Sequence, residues 1–300
     1  MKKIKSITRA LSNSFLFPLI HSVNKLQEKV HKIELRTRIV TAIARGAAAA
    51  AARQIEPTDP TTWEFSGFSQ NGEDGIIDYL VSRLKNKTRY FIEIGSGDGI
   101  ENNTAYLAHV KKFSGLMIDG NKKHVADSTQ ISTLGVETHL IFLDKNNIAD
   151  IKQLAINITP DVFSLDIDGN DYYLTKLILE SGFTPSIIVV EYNSAFGPDN
   201  AITVNYTPDF DIARMHPTAL YYGVSISGWK KFFSQMEYRF VAVDSNGINA
   251  IFIKPDRFDP EFVIGIKGQD FVENFYQMKK FKCNWEKQFE MIRNLNFFQI

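Results

Sequence analysis

The chain has a single cysteine, Cys283, among 300 residues. One thiol can neither staple a chain nor build a cysteine zinc site, which excludes a disulfide-rich secreted fold. Long apolar runs are missing too. The best, Leu16 to Ile20, is interrupted by Pro18 and falls far short of the ~20 residues of a membrane span. Acids are scarce at the N-terminus: residues 1–53 hold only Glu28 and Glu34, against eleven Lys or Arg. That segment carries +9 and the rest −9, because the whole chain has 34 residues of each sign. A basic arm on an acidic body implies two parts with different tasks. An acidic body has the wrong sign for phosphate, which argues against nucleic acid as the main partner.

The arm has a helical pattern. Leu16, Leu19, Val23, Leu26, Val30, Ile33, Thr37, Val40, Ala44 and Ala47 step by three and four, while Lys25, Lys29, Lys32 and Arg36 lie off this seam. The alanines up to Ala52 favour helix, and Pro57 and Pro60 end it. Such a heptad helix either pairs with a second copy or a partner, or folds back on its own body. A third reading is weak contact with a membrane surface through Phe15, Leu16 and Phe17. As a signal peptide the segment is poor, because Arg9 breaks the apolar region. The expectation is a cytoplasmic protein, peripheral to a membrane at most through this arm.

Beyond the prolines, helix and strand patterns alternate. A helix is expected over Asn71–Leu84, and buried strands over Tyr90–Ile94, Gly115–Ile118, His139–Leu143, Val162–Ile167 and Ile187–Glu191. Helices are expected at Asn103–Lys111, Ile148–Ile156 and Tyr172–Ser181. This is the α/β pattern of a doubly wound, Rossmann-like sheet. Tyr238–Asp244 and Ile248–Lys254 flank Ser245-Asn246-Gly247, a strong hairpin signal, so the sheet closes with an antiparallel pair. The division expected is an arm and linker over 1–60, a central domain over 61–255 and a helical extension over 256–300, with one helix at Gln269–Asn294.

The chemistry concentrates after the first strand. Phe91-Ile-Glu-Ile-Gly-Ser-Gly-Asp-Gly99 sets three alternate glycines in a turn where backbone can approach a ligand closely. The second strand ends in Asp119, a carboxylate placed to accept ribose hydroxyls. Glycines and acid together form a specific pair; the alternative is a tight turn that binds nothing. A dinucleotide fingerprint wants glycine where Ile100 stands, and Asp98 and Glu101 would repel a pyrophosphate but suit a cationic sulfonium. With the closing hairpin, the chain resembles a class I S-adenosylmethionine-dependent methyltransferase. Phe163-Ser-Leu-Asp-Ile-Asp-Gly-Asn-Asp171 is similar to the acidic segment of the FkbM-like branch, with Asp166, Asp168 and Asp171 on its acidic positions. Phe68-Ser-Gln-Asn-Gly-Glu-Asp74 is similar to the segment before that branch's first strand. The resemblance spans about residues 65–255 and implies O-methylation of a sugar, glycan or natural-product hydroxyl. The opposing readings are a non-catalytic Rossmann-like scaffold assembled through its arm and an NAD-dependent oxidoreductase.

On this reading Glu93, Gly95, Ser96, Gly97, Asp98, Gly99, Asp119 and Asp144 hold S-adenosylmethionine, with Asp144 near the adenine. Asp168, Glu191 and Asp166 are the catalytic candidates at the carboxyl ends of the fourth and fifth strands. Asp168, Glu191 and Asn193 are an alternative set of oxygen ligands for Mg²⁺, and Asp171 reads as a helix cap. Tyr192, Asn193, His216 and Tyr222 are candidates for the acceptor. The long stretch Phe196–Ser227 is a candidate lid, with Tyr206, Phe210, Tyr221 and Tyr222 either packing the acceptor or forming a small core. His109 and His124 are expected on the surface.

Overall fold

In the computed structural model, which describes residues 2–300 and side chains from Phe17 onward, the arm is one helix, α1 (Lys2–Ala52). The side chains of Phe15 and Leu16 lie outside the described residues. Two compact units result, one ending at Thr41 and the other Ala42–Ile300. In the first, Leu19, Val23, Leu26, Val30, Ile33 and Val40 are exposed. The last turns of α1 belong to the second unit. There Gly46 lies against Gly67, with 3.1 Å between the place of a Cβ and the Gly67 Cα. Arg53 donates to the Trp63 carbonyl at 2.6 Å, and Trp63 is fully buried. The residues around Pro57 and Pro60 are thereby part of the second unit.

That unit continues with α2 (Glu73–Arg83), β1 (Tyr90–Ile94), α3 (Ala105–His109), β2 (Ser114–Asp119), α4 (Lys122–Ile131) and β3 (Val136–Leu140). Next come α5 (Ile148–Leu154), β4 (Val162–Leu165), α6 (Asp171–Glu180), β5 (Ile187–Glu191), β6 (Ile202–Val204), α7 (Ile212–Met215) and α8 (Ile226–Gln235). The chain ends with β7 (Arg239–Val243), β8 (Asn249–Ile253), α9 (Pro260–Gly265), α10 (Phe275–Phe281), α11 (Trp285–Glu290) and β9 (Phe297–Gln299). The main sheet has seven strands in the order β3-β2-β1-β4-β5-β8-β7. The first five are parallel, and β8 runs antiparallel between β5 and β7, so the expected doubly wound sheet with a closing hairpin is what forms.

Both faces are covered, which explains why the strands read as continuous apolar runs. Ile92, Ile94, Phe163, Leu165, Ile188 and Val190 pack with Ile151, Leu174, Ile178 and Trp229 from α5, α6 and α8. Phe91, Met117, Val162, Ile187 and Val189 pack on the other side with Ile76, Leu80, Leu107 and Val263 from α2, α3 and α9.

Three expectations change. β3 ends at Leu140, three residues before the apolar run does, because Ile141 to Leu143 turn out of the sheet. β4 stops at Leu165, which frees Asp166 to Asp168 as loop. The single helix expected at Gln269–Asn294 is two short ones, α10 and α11, with Lys282 left-handed at φ 56° between them. The stretch 196–227 is also more ordered than a bare loop: it holds β6 and α7, and β6 pairs with β9 from the C-terminus. Phe196, Val204, Tyr221, Ile292 and Phe297 form a separate small core there.

Candidate active site

Strand order reverses at β1, whose neighbours are β2 and β4, and the crevice beyond the carboxyl ends of such strands is where ligands sit in open α/β sheets. A cleft of about 880 Å³ opens there, lined by Gly95, Gly97, Glu101, Asp119, Asn121, Lys122, His124, Phe142, Leu143, Asp166, Asp168 and Phe210, among others. The glycine turn makes its floor. The Gly95 and Ser96 amides donate to the Ile118 carbonyl at 2.8 and 3.1 Å, closing β1 on β2. Gly95 has φ +81°, and a Cβ on it would lie 1.7 Å from the Asp166 carbonyl oxygen. Gly97, at φ +56°, has no atom within 4 Å of a Cβ position, so it bounds open cleft.

Asp119 is oriented by two backbone amides. Its Oδ2 accepts from the Gly97 amide at 2.8 Å, and its Oδ1 accepts from the Asn121 amide at 2.7 Å. His124 Nδ1 lies 3.4 Å from the same Oδ1, so this histidine lines the cleft while its side chain stays 45% exposed. His109 also leaves the surface: it stacks on Phe68 with ring centroids 5.2 Å apart, and burial lowers its pKa.

Asp166 and Asp168 also line this cleft, and one carboxylate oxygen from each comes within 4.8 Å of the other and of an oxygen of Glu191, which does not line it. The inner two, Asp166 and Glu191, are pushed well above ordinary carboxylate values, first by burial and then by neighbouring charge, from Asp168 and Asp171 on Asp166 and from Asp166 and Asp168 on Glu191. Tyr222 donates to Glu191 Oε1 at 3.3 Å and accepts from Gln277 Nε2 at 3.1 Å. Asp168 is the outermost, at φ +60°, and burial raises its carboxyl as well. Asp171 fixes the loop: it accepts from the Ile167 and Gly169 amides at 3.0 and 2.7 Å.

Several candidates stand elsewhere. Asn193 is fully buried and spent, donating to the Leu220 and Tyr222 carbonyls at 2.8 and 3.0 Å and accepting from the Ala195 amide at 3.0 Å. Its side-chain atoms are taken up by these bonds, and the carboxylates that converge on Asp168 are Asp166 and Glu191. Tyr192 is equally buried, with its hydroxyl on the Val272 carbonyl at 2.6 Å. His216 bonds Thr218 Oγ1 at 2.8 Å and is not among the residues lining the cleft. Asp144 turns to its own loop, accepting from the Asn146 amide at 2.6 Å, and Phe142 and Leu143 line the cleft in its stead. Glu93 grips the start of α3 through the Asn103 and Thr104 amides at 2.9 and 3.1 Å, and lines a smaller polar chamber beside Gly95. Asn121, Lys122 and Phe142 are cleft residues that no sequence motif marked, whereas Phe210 from the candidate lid and Gln70 from the Phe68–Asp74 segment line the cleft as well. Only the position of Asn121 and Lys122, directly after the acid of the second strand, offered a signal.

The segment Phe68–Asp74 is mainly scaffold. Asp74 Oδ2 accepts from the Gly67, Phe68 and Ser69 amides at 2.7, 2.7 and 3.1 Å, and Glu73 Oε1 accepts from Asn249 Nδ2 at 2.6 Å. Burial raises Asp74 and Glu93 to about 7 and Asp244 to about 8. Such groups prefer to be protonated in the folded chain. Below about pH 4 both folded and unfolded chains carry these protons and stability is intact. As pH rises the unfolded chain ionises first, and stability falls until pH passes the raised folded values. The melting temperature is therefore expected to be higher at pH 5 than at pH 8, by about 3 °C or more. A melting temperature that is flat or rises from pH 5 to pH 8 in differential scanning fluorimetry refutes this.

No family model and no curated protein matches the chain. Among solved structures it is similar to the N-terminal domain of EvdMO1, crystallised with SAH and D-fucose, at 12% identity over 60% of this chain and 81% of that one, with a TM-score of 0.40. It is similar to the O-methyltransferase TomG from Streptomyces achromogenes, in complex with SAM, at 15% identity over 55% and 72%, TM-score 0.34. An O-methyltransferase from Bacillus cereus in complex with SAH matches at 14% identity over 73% and 91%, TM-score 0.37. At this distance the reading of the site rests on the chain's own residues. Among the described residues no helix is long and apolar enough to cross a membrane.

Proposed function

We propose that the chain is an S-adenosylmethionine-dependent O-methyltransferase of FkbM-like kind, acting on a small hydroxylated acceptor. The observation that carries this reading is one cleft lined both by the Gly97–Asp119 pair and by Asp166 and Asp168, the two carboxylates that crowd with Glu191. Gly97 leaves room where any side chain would intrude, and Asp119 is oriented by two amides with lone pairs remaining for vicinal hydroxyls. Acids dominate the charged lining, with Asp119, Asp166, Asp168 and Glu101 against Lys122, which fits a cationic ligand better than a pyrophosphate. Phe142 and Leu143 offer the apolar wall a flat base needs.

Bound there, S-adenosylmethionine supplies an electrophilic methyl group on sulfur. The chain's part is to place an acceptor hydroxyl in line with that methyl and to take its proton. Asp168 is placed for this, because it lines both the main cleft and an outer chamber of about 550 Å³. Phe142 and Phe210 offer ring faces in that chamber, and Asp209 and Asp211 offer acceptors, a combination suited to a sugar ring and its hydroxyls. Asp168 would accept the proton of the acceptor hydroxyl, and S-adenosylmethionine held against Gly97 and Asp119 would supply the methyl group that replaces it. Asp166 and Glu191 stand behind it, their carboxyls raised by burial. A divalent cation on Asp166, Asp168 and Glu191 is the second reading, favoured by the convergence of their oxygens.

Calorimetric titration of the purified chain with S-adenosylhomocysteine and, separately, with NAD tests the proposal. Binding of S-adenosylhomocysteine alone is the expected result. Binding of NAD alone makes the chain an oxidoreductase candidate, and binding of neither leaves a scaffold.

A further inference from the structure

The exposed seam of α1 is an apolar feature that the proposed reaction does not use. Leu19, Val23, Leu26, Val30, Ile33 and Val40 are each 46% to 65% exposed. From Val23 to Val40 every exposed large apolar residue of the helix lies on this seam, while Phe17, Ile20 and Ile43 outside that span are exposed off it. A stripe this narrow, two positions in seven, matches the contact line of a coiled coil; a helix lying on lipid or on a globular core shows a broader apolar face. We propose that the arm pairs with the arm of a second copy of this chain as a parallel, two-stranded coiled coil.

The seam specifies partner number and direction. Val23, Val30 and Thr37 repeat every seven residues on one side, and Leu19, Leu26, Ile33 and Val40 on the other. β-Branched residues at the first position with leucine at the second favour two strands in parallel coils, and Val23 and Val30 with Leu19 and Leu26 follow this rule, while Ile33 and Val40 depart from it. Thr37 is the polar break, and its hydroxyl already donates to the Ile33 carbonyl at 2.8 Å, so it enters the interface with its donor satisfied. Flanking charges set the direction. In a parallel pair in register, Lys29 of one helix faces Glu34 of the other, twice by symmetry. In an antiparallel pair Lys29 and Arg36 would instead meet the same basic flank of the partner. Both Lys29 and Glu34 are exposed, and the in-helix contact of Glu34 to His31 is long, at 3.8 Å.

The test uses the full chain in analytical ultracentrifugation at micromolar concentration. The expected mass is twice that of one chain, falling to one chain in Leu26→Asp with Val30→Asp, while circular dichroism and S-adenosylhomocysteine binding stay as in the parent. Glu34→Lys separates partners by sign. It sets like charges across the coil and should weaken the dimer about tenfold or more, whereas it adds to the arm's positive charge and would strengthen binding to vesicles of anionic lipid. For direction, Val30→Cys with Cys283→Ser should form an interchain disulfide on oxidation, since this position meets itself in a parallel pair. A monomeric parent chain overturns the proposal, as does a dimer that survives the double aspartate change. A monomer that sediments with anionic vesicles, more so after Glu34→Lys, assigns the seam to lipid. Failure of cofactor binding leaves this inference untouched, because it concerns a different part of the chain.

Discussion

Asp168→Asn is expected to lower methyl transfer by about 10²–10⁴-fold, the range for removing a general base, while S-adenosylhomocysteine affinity stays within about threefold. Asparagine is the informative replacement because Asp168 sits at φ +60°, a left-handed conformation that Asn adopts more readily than most residues. The loop is also pinned independently by Asp171 on the Ile167 and Gly169 amides. Loss of activity in that variant therefore reports on the carboxylate and not on a misfolded loop. Near-parental activity would make Asp168 structural and the base assignment wrong. The same assay run after exhaustive chelation separates the two readings of the cluster. A general base keeps its activity within about twofold, whereas a cation on Asp166, Asp168 and Glu191 loses tenfold or more.

Gly95→Ala and Gly97→Ala are expected to fail in opposite ways, although the two glycines are neighbours in one motif. At Gly95 a methyl group would lie 1.7 Å from the Asp166 carbonyl oxygen, and that oxygen belongs to backbone joined to β1 by the Asp166 amide on the Ile94 carbonyl at 3.0 Å. Neither partner can retreat without parting β1 from β4 at the centre of the sheet. The cost is expected to exceed about 4 kcal/mol, enough to abolish a folded chain or leave only insoluble protein. At Gly97 nothing lies within 4 Å, so the substitution adds only the strain of a positive φ, about 1–2 kcal/mol. The added methyl occupies cleft instead, and S-adenosylhomocysteine affinity should fall about tenfold or more, equal to about 1.4 kcal/mol of lost contact. Thermal melts and calorimetry on both variants distinguish the roles. A soluble, stable Gly95→Ala chain would show that the turn is free to shift. A Gly97→Ala chain with parental affinity would place the ligand away from the turn.

The amino-acid sequence alone determined the elements whose signals are local. Tyr90–Ile94 and Ile187–Glu191 form strands over those very residues, because β-branched runs bounded by turn residues have no competing local structure. Asn246-Gly247 sets the closing hairpin, and the alternate glycines with Asp119 mark where the cleft lies. Tertiary structure alone decided which side chains face that cleft. Asp166, Asp168, Glu191, Tyr192 and Asn193 read alike as polar or aromatic residues at strand ends. Yet Tyr192 is drawn away to the Val272 carbonyl, eighty positions along the chain, and Asn193 to the carbonyls of the segment that includes Leu220 and Tyr222. β3 ended early for a related reason. His139 to Leu143 has strand character throughout, but its pairing with β2 runs out at Asp119, and the residues beyond turn into the cleft wall. Buried backbone carbonyls must find donors wherever the chain brings them, and those pairings join residues too far apart in sequence for any local pattern to record.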